Sequence, residues 1–213
     1  MNELLTDDEI VALSVNLGKS WPVSLPTIAN PELVNLQASN NRGVRSLAVR
    51  GLAKASGAGE LAIDQEIFGL AKRVTTATSY LSAFVADRAH PLTVAGSSVT
   101  SYFGESSAPP VVDSVTVSGV HALREESASD AQAAVVAFAE NAFLGTTLPS
   151  GDVTALVVVV TLVVQDARSI QAVLVYPGGL ETGVLSSTDG DEPQFARRAK
   201  TSTWDSSWIT ALG

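Results

Sequence analysis

The strongest structural constraint in this chain is a valine-rich run in its second half. Seven of the twelve residues at positions 153–164 are valine, and none of the twelve is charged. Branching at Cβ disfavours a helix, and an unbroken apolar run is typical of a strand buried on both faces. Twelve residues are also too few to cross the roughly 30 Å hydrocarbon core of a bilayer as a helix. The run therefore predicts a buried strand of a soluble protein.

The residues after this strand predict further strands of the same sheet. Residues 170–176 are again apolar and follow a four-residue loop at 165–168, so the two segments are predicted to form an antiparallel hairpin in the middle of the sheet. Pro177 and Gly178 fit the central pair of a type II turn. Residues 181–187 and 195–202 are predicted to extend the sheet.

The first half of the chain predicts helices followed by strands. Thr6 and Glu9 have the spacing of a capping box, which starts a helix, and Gly18 is placed to end it. The other predicted helices cover residues from about 31 to 51 with a potential break at 40–43, 64–74, about 127–145, and a short segment from about 205. The predicted strands cover 76–87, 91–103 with an interruption at Gly96, and 111–120, with 104–110 as an exposed loop.

This order predicts an α+β fold with a central, largely antiparallel sheet flanked by helices. The length suits one domain, residues 1–213, or two smaller units that share a sheet, with 1–125 and 126–213 as the halves.

The composition limits the environment and the partners. The chain is 46% hydrophobic and 16% charged, so it can bury a core, and its net charge of -9 argues against a nucleic-acid partner. It has no cysteine, which excludes disulfides and thiol chemistry and fits a reducing cytosol. The acidic start of the chain is unlike a signal peptide. We expect a cytoplasmic protein without a membrane partner, either a monomer or a weak homodimer.

Residues suited to catalysis are sparse. His90 and His121 have no nucleophile or acid arranged around them in a recognisable pattern, so we predict polar residues at strand ends and not general bases. Gly18-Lys19-Ser20 lacks the earlier glycine and the preceding strand of a phosphate loop. Residues 189–192 are acidic but lack the ligand spacing of a calcium loop, which favours a solvated turn. We predict no catalytic residue, no cofactor and no metal, and therefore no enzyme.

Aromatic residues are the better candidates for partner contact, because buried aromatic anchors dominate interface energies. Tyr102 and Phe103 border the predicted loop at 104–110. Trp204 and Trp208 share one face of the predicted C-terminal helix, where they either cover the sheet or face a partner. These four residues are the predicted partner-binding residues. They favour a non-enzymatic protein whose work is to hold another molecule.

A DNA-binding regulator is the alternative. In that interpretation the N-terminal helices form a winged-helix-like unit, and the basic residues Arg42, Arg45, Arg50 and Lys54 face the phosphates. The competing interpretation of this basic face is solvation and pairing with the abundant acidic residues.

Three stretches of the chain resemble the EspG family of actinobacterial type VII secretion chaperones. They are Leu5-Thr6-Asp7-Asp8-Glu9-Ile10-Val11-Ala12-Leu13 through Leu17-Gly18, then Arg45-Ser46-Leu47-Ala48-Val49-Arg50-Gly51-Leu52, and the valine-rich hairpin with its Pro-Gly-Gly turn, later strands and Asp205-initiated helix. The resemblance implies an α+β fold with two quasi-equivalent halves and cytoplasmic binding of the apolar helical tip of a PE–PPE-type secretion substrate. This chain departs from the family in its short loop after the early strands, where family loops contact the partner, so the resemblance does not identify the substrate.

Overall fold

The computed structural model describes residues 3–28, 33–55, 61–87, 90–104, 108–143, 156–164, 167–176, 179–186 and 194–201. Within these ranges it confirms the predicted α+β fold, with helices packed on a central antiparallel sheet. None of the described helices has the combination of length and hydrophobicity that would let it cross a bilayer.

The described part of the chain contains four helices and eleven strands. The helices are α1 (Asp7–Leu17), α2 (Leu33–Val49), α3 (Gln65–Thr75) and α4 (Ala128–Phe143). The strands are β1 (Glu3–Thr6), β2 (Ala53–Ala55), β3 (Leu61–Ile63), β4 (Ser79–Asp87), β5 (His90–Phe103), β6 (Val111–Val115), β7 (Val120–Glu125), β8 (Leu156–Val164), β9 (Ala167–Tyr176), β10 (Gly179–Ser186) and β11 (Gln194–Thr201).

The main sheet has the strand order β1-β7-β6-β5-β4-β8-β9-β10-β11, and β2 and β3 form a separate hairpin. The valine-rich segment is β8, which pairs with β4 on one side and with β9 on the other. The predicted pairing of these two strands in the middle of the sheet is therefore confirmed. The predicted loop at 165–168 is too long, because Ala167 and Arg168 already belong to β9 and pair with Val164 and Val163. The division considered at residues 125 and 126 falls between β7 and α4, and one sheet continues across it.

Two hydrophobic cores lie on opposite faces of the sheet. On one face, α1, α2 and α3 pack over side chains such as Leu5, Tyr102 and Leu123. On the other face, α4 inserts Ala131 and Val135 among residues that include Leu81, Val99 and Val112. The helices α1 and α2 therefore sit on the face of the sheet opposite α4.

The predicted N-terminal capping box and C-terminal glycine of α1 are both confirmed. The Thr6 hydroxyl accepts from the backbone N–H of Glu9, and the Glu9 carboxylate accepts from the backbone N–H of Thr6 at 2.8 Å. Gly18 ends the helix in the left-handed conformation, with φ of 63°. The predicted third and fourth helices are confirmed as α3, capped by Asp64, and α4, where Ser127 accepts from the backbone N–H of Asp130.

The predicted break in the second helix is wrong. Helix α2 runs without interruption through Asn40, Asn41 and Gly43. Gly43 is needed there for a tertiary reason, because a Cβ at this position would overlap the backbone carbonyl oxygen of Asp8 in α1. The glycine allows the two helices to cross closely, and the contact outweighs its poor helix propensity.

Two strand predictions need correction. Strand β5 continues through Gly96, although its pairing with β4 is irregular between Phe84 and Ala86. The single strand expected at 111–120 is instead β6, a tight turn at 116–119 and the start of β7. The turn was missed because the alternating pattern continues through it. The β1 strand and the β2–β3 hairpin were not predicted, and the helix predicted from about 205 lies outside the described residues.

The close crossing of α1 and α2 predicts opposite effects for two glycine substitutions. Gly43→Ala should destabilise the protein by about 1 to 3 kcal/mol, because the new methyl group overlaps the Asp8 backbone. Gly69→Ala in α3 is the matched control, since no atom lies within 4 Å of its added Cβ. It should stabilise by about 0.5 to 1 kcal/mol through helix propensity. Urea unfolding of both variants measures the difference, and equal effects would contradict the close crossing.

The central position of β8 predicts that Val159→Asp prevents folding. Val159 pairs in register with Phe84 of β4 and Ala172 of β9, so the strand is hydrogen-bonded on both sides. The uncharged, valine-rich sequence of this strand predicts an apolar environment, in which an unpaired carboxylate would cost several kcal/mol, a large share of a domain's stability. Val117→Asp, in an exposed turn where the side chain is 67% accessible, should change the melting temperature little. If Val159→Asp melts within a degree or two of wild type, β8 is not central.

Candidate functional site

The most unusual polar feature is a buried histidine held between two buried aspartates. His121 Nδ1 lies 2.9 Å from Asp113 Oδ2, and His121 Nε2 lies 2.7 Å from Asp7 Oδ1. The three residues are at most 1% exposed. We call Asp7, Asp113 and His121 the ion cluster.

The backbone places these residues together for local reasons. Asp113 on β6 and His121 on β7 lie on the same face of adjacent antiparallel strands, two register positions apart. Asp7 is the first residue of α1, and its N–H donates to the carbonyl oxygen of Gly119 at 3.0 Å. Gly119 has a φ of 69°, a left-handed conformation that favours glycine. A Cβ at this position would also lie only 2.5 Å from the Asp7 carboxylate, so there is no room for a side chain.

The two carboxylates keep the imidazole charged. Burial alone would lower the pKa of His121, but its hydrogen bonds and charge interactions with Asp113 and Asp7 outweigh burial and raise the pKa to about 9. Burial would raise the pKa of Asp7, but hydrogen bonds from His121 and Thr27 outweigh it and leave that pKa below its usual value. At neutral pH both imidazole nitrogens therefore donate, and His121 bridges the carboxylates as a cation.

This arrangement suits structure better than acid–base or metal chemistry. A histidine that donates from both nitrogens has no free lone pair for a proton or a metal ion. Within the described ranges, no group of three or more histidine, aspartate or glutamate side chains is arranged to hold a metal. His121 does lie at a strand end, as the second residue of β7, but the prediction that no acid is arranged around it is wrong, because the side chain is fully buried between two carboxylates.

Two aromatic rings lie on one side of the ion cluster, and one of them packs against His121. The Trp21 ring packs edge-on against His121, with 6.3 Å between ring centroids, and against Tyr102 at 6.5 Å. Burial, together with the negative charge of Asp113, raises the pKa of Tyr102 well above its usual value, so its phenol stays neutral. These rings shield the charges from water, which strengthens the electrostatic attraction within the cluster.

The ion cluster also holds the segment between α1 and α2. We call residues 18–28 the connector. The backbone N–H and the hydroxyl of Thr27 both donate to Asp7 Oδ2, each at 2.6 Å. Trp21, Val23 and Leu25 of the connector pack against the core formed with α1, α2 and α3. The connector is therefore fixed at Thr27 by Asp7 and at Trp21 by the aromatic contacts.

The connector forms one wall of an apolar cleft of about 780 Å³. The other walls come from the C-terminal half of α1, from Leu36 of α2 and from Val94 of β5. Its apolar lining consists of Val11, Val15, Trp21, Val23, Leu25, Pro26, Ile28, Leu36 and Val94, and its remaining lining residues are Ser14, Gly18, Lys19, Ser20 and Ser24. Val15 is 58% exposed, so an apolar side chain is left at the open side of the cleft.

A second set of ion pairs fixes the position of α2. Buried Glu9 accepts from Ser46 Oγ at 2.7 Å and from Arg50 Nη1 at 2.9 Å. Arg42 makes a two-point contact with Asp8, at 2.7 Å and 2.9 Å. Two of the four residues of the predicted basic face are thus paired with acidic residues of α1, as the pairing interpretation expected.

The predicted partner-binding aromatics occupy different environments. Tyr102 is 2% exposed, and in this position it supports the Trp21 wall and cannot touch a partner directly. Phe103 is partly buried against the α4 core. Trp204, Trp208 and the acidic turn at 189–192 lie outside the described residues, and so does the side chain of His90.

Neither the ion cluster nor the cleft was predicted from the sequence. Asp113 and His121 are 8 residues apart, but Asp7 is 114 residues from His121, so no local pattern joins them. One signal was present, since the neighbours of Asp113 and His121 on the same face of their strands are the apolar residues Val111, Val115 and Leu123. Ionisable residues of opposite charge at such positions indicate a buried pair.

No family model matches the chain, and no curated protein matches it either.

The ion cluster predicts a loss of stability at alkaline pH. Because the pKa of His121 is about 9 in the folded protein and 6.5 is its ordinary value, its contribution is complete below pH 6.5 and lost as pH rises through 9. The contribution of Asp7, whose pKa is lowered, is instead lost in acid. His121→Gln should cost about 3 to 5 kcal/mol, because two buried carboxylates lose their cation. It should also flatten the dependence of melting temperature on pH between 6.5 and 9.

Arg124→Gln is the matched control on the same strand. Arg124 is 28% exposed and pairs with Glu126, so its loss should cost about 1 kcal/mol or less and leave the pH dependence intact. Calorimetric melting of the three proteins across this pH range makes the comparison. If the His121 variant keeps the wild-type slope, the imidazole is not charged in the native protein.

Proposed function

We propose that this protein is a non-enzymatic binding module that holds an apolar helical segment of a partner protein in the cleft. The observation that carries the proposal is the cleft itself: about 780 Å³, open to solvent, with nine apolar lining residues. Burial of apolar surface is the main favourable term in protein association, and a helix in a groove is a recurring mode of recognition.

The construction of the cleft supports this use. One wall is a helix, α1, whose last turn leaves Val15 exposed, and the opposite wall is the connector held by Asp7 and Trp21. Walls fixed in this way lose little conformational freedom on binding, so more of the burial energy appears as affinity. The volume lies in the range of pockets that enclose one compact ligand, which fits a few large side chains of one helical face.

The charges of the N-terminal helices favour this proposal over the DNA-binding alternative. A phosphate-binding face needs unpaired basic residues, whereas Arg42 pairs with Asp8 and Arg50 pairs with Glu9. The net charge of -9 also repels nucleic acid.

The partner class follows from the resemblance to EspG chaperones. In this proposal the protein acts in the cytoplasm as a chaperone for the apolar helical tip of a PE–PPE-type, type VII secretion substrate. Support comes from the three sequence stretches that carry the resemblance and from an α+β architecture compatible with that family. Trp204 and Trp208 stay predicted contacts for such a partner. Phe103 packs against the α4 core, on the face of the sheet opposite α1 and α2, so it does not contact a partner held in the cleft.

The cleft predicts that Val15→Asp weakens binding of an apolar helix. The probe is a neutral amphipathic peptide with leucines at i, i+3, i+4 and i+7, titrated by calorimetry. A charge at Val15 should cost about 2 kcal/mol, roughly a 30-fold loss of affinity. Val49→Asp is the matched control, since Val49 is 89% exposed, also lies in the last turn of a helix, and does not line the cleft.

The same titration separates protein binding from DNA binding. Wild-type affinity for the peptide should change little between low and physiological salt, because apolar contacts are not screened, whereas binding of duplex DNA would weaken steeply. Failure of the peptide to bind, or equal binding by both aspartate variants, would refute binding in the cleft. Tight, salt-sensitive binding of duplex DNA would favour the regulator.

A further inference from the structure

Lys19 gives the apolar cleft a single charge. Among the described residues that line the cleft it is the only one with an ionisable side chain. It is exposed, and within the described part of the chain no carboxylate lies within ion-pair distance of it. The cleft therefore offers a partner one unpaired cation beside a large apolar surface.

The position of Lys19 at the rim is fixed by the end of α1. Gly18 takes the left-handed conformation that closes the helix, and the N–H of Lys19 then donates to the carbonyl oxygen of Ser14 at 3.1 Å. Only the side chain is free to move. A lysine of this kind lays its methylene stem along apolar surface and keeps its ammonium in water, here at the mouth of the cleft.

Covering this rim has a cost that depends on the occupant. A neutral apolar helix would remove water from the Lys19 ammonium and give nothing in return, whereas a carboxylate at the mouth would replace the lost water contacts. The net charge of the whole protein, -9, opposes this preference, because it repels an acidic partner at long range. Any preference for an acidic group must therefore come from its short-range contact with Lys19.

We propose that the cleft recognises an amphipathic helix that carries an aspartate or glutamate within one turn of its apolar anchors, and that Lys19 pairs with this carboxylate. This inference rests on the proposed function and adds the charge of the partner. The apolar lining supplies affinity, and Lys19 sets the orientation and selectivity of the bound helix.

A charge-swap titration tests the inference. Three peptides share the same leucines and carry glutamate, glutamine or lysine one turn from them, and each is titrated into wild type, Lys19→Gln and Lys19→Glu. Wild type should prefer the glutamate peptide over the glutamine peptide about fivefold, Lys19→Gln should lose the preference, and Lys19→Glu should prefer the lysine peptide. Lys54→Gln, which removes an exposed lysine outside the cleft, should leave the wild-type preference unchanged.

The outcomes separate the inference from the function on which it rests. Equal binding of the three peptides by wild type, with binding still lost in Val15→Asp, overturns the role of Lys19 and leaves the proposed function standing. Binding of none of the peptides overturns both. Competition with decanoate, a single-chain carboxylate, is a further test. If decanoate displaces the glutamate peptide and its binding depends on Lys19 to the same extent, the cleft is a site for amphipathic anions, and the assignment to a helix fails.

Discussion

The charged contact between His121 and the two aspartates is the interaction on which the rest of the N-terminal half depends. Each member comes from a different element: Asp7 from α1, Asp113 from β6 and His121 from β7. A buried carboxylate without a cation would cost several kcal/mol, so none of these elements can move away independently of the others. The cluster thereby fixes the start of α1 against the sheet. Because the helix is rigid, this also fixes the position of its C-terminal end.

The same contact explains why a polar cluster lies beside an apolar cleft. Asp7 holds Thr27 with two hydrogen bonds, and His121 packs against Trp21, so both ends of the cleft-forming connector rest on the ion cluster. A connector without such support would close over the apolar surface or stay mobile, and a partner would then have to open or order it. Burying charges next to the cleft thus keeps the apolar surface accessible. Loss of the His121 charge should consequently affect the connector before it affects the strands, which keep their own hydrogen-bond ladders.

The features that were predictable from the sequence are those determined by neighbouring residues. The capping box at Thr6 and Glu9 and the valine-rich strand β8 depend on local spacing, and they appear where that spacing put them. Helix α2 continues through Gly43 because Asp8 of another helix lies against it, and no pattern within α2 contains that information. The turn before β7 was hidden because its residues continue the alternation of the strand. The ion cluster was missed for the same reason as Gly43, since its partners are distant in sequence.

Stability and recognition use charge differently in this molecule. In the ion cluster, the His121 cation lies between two carboxylates and packs against the Trp21 ring, so its charge stabilises the fold and is not available to a ligand. At Lys19 the backbone is equally well fixed, by its hydrogen bond to Ser14, but the ammonium has no partner in the described part of the chain. A fixed backbone with an unpaired charge at the mouth of an apolar cleft is what selective binding requires, because the charge can discriminate between partners that bury the same apolar surface. Selectivity should therefore lie at the rim of the cleft, and affinity in its walls.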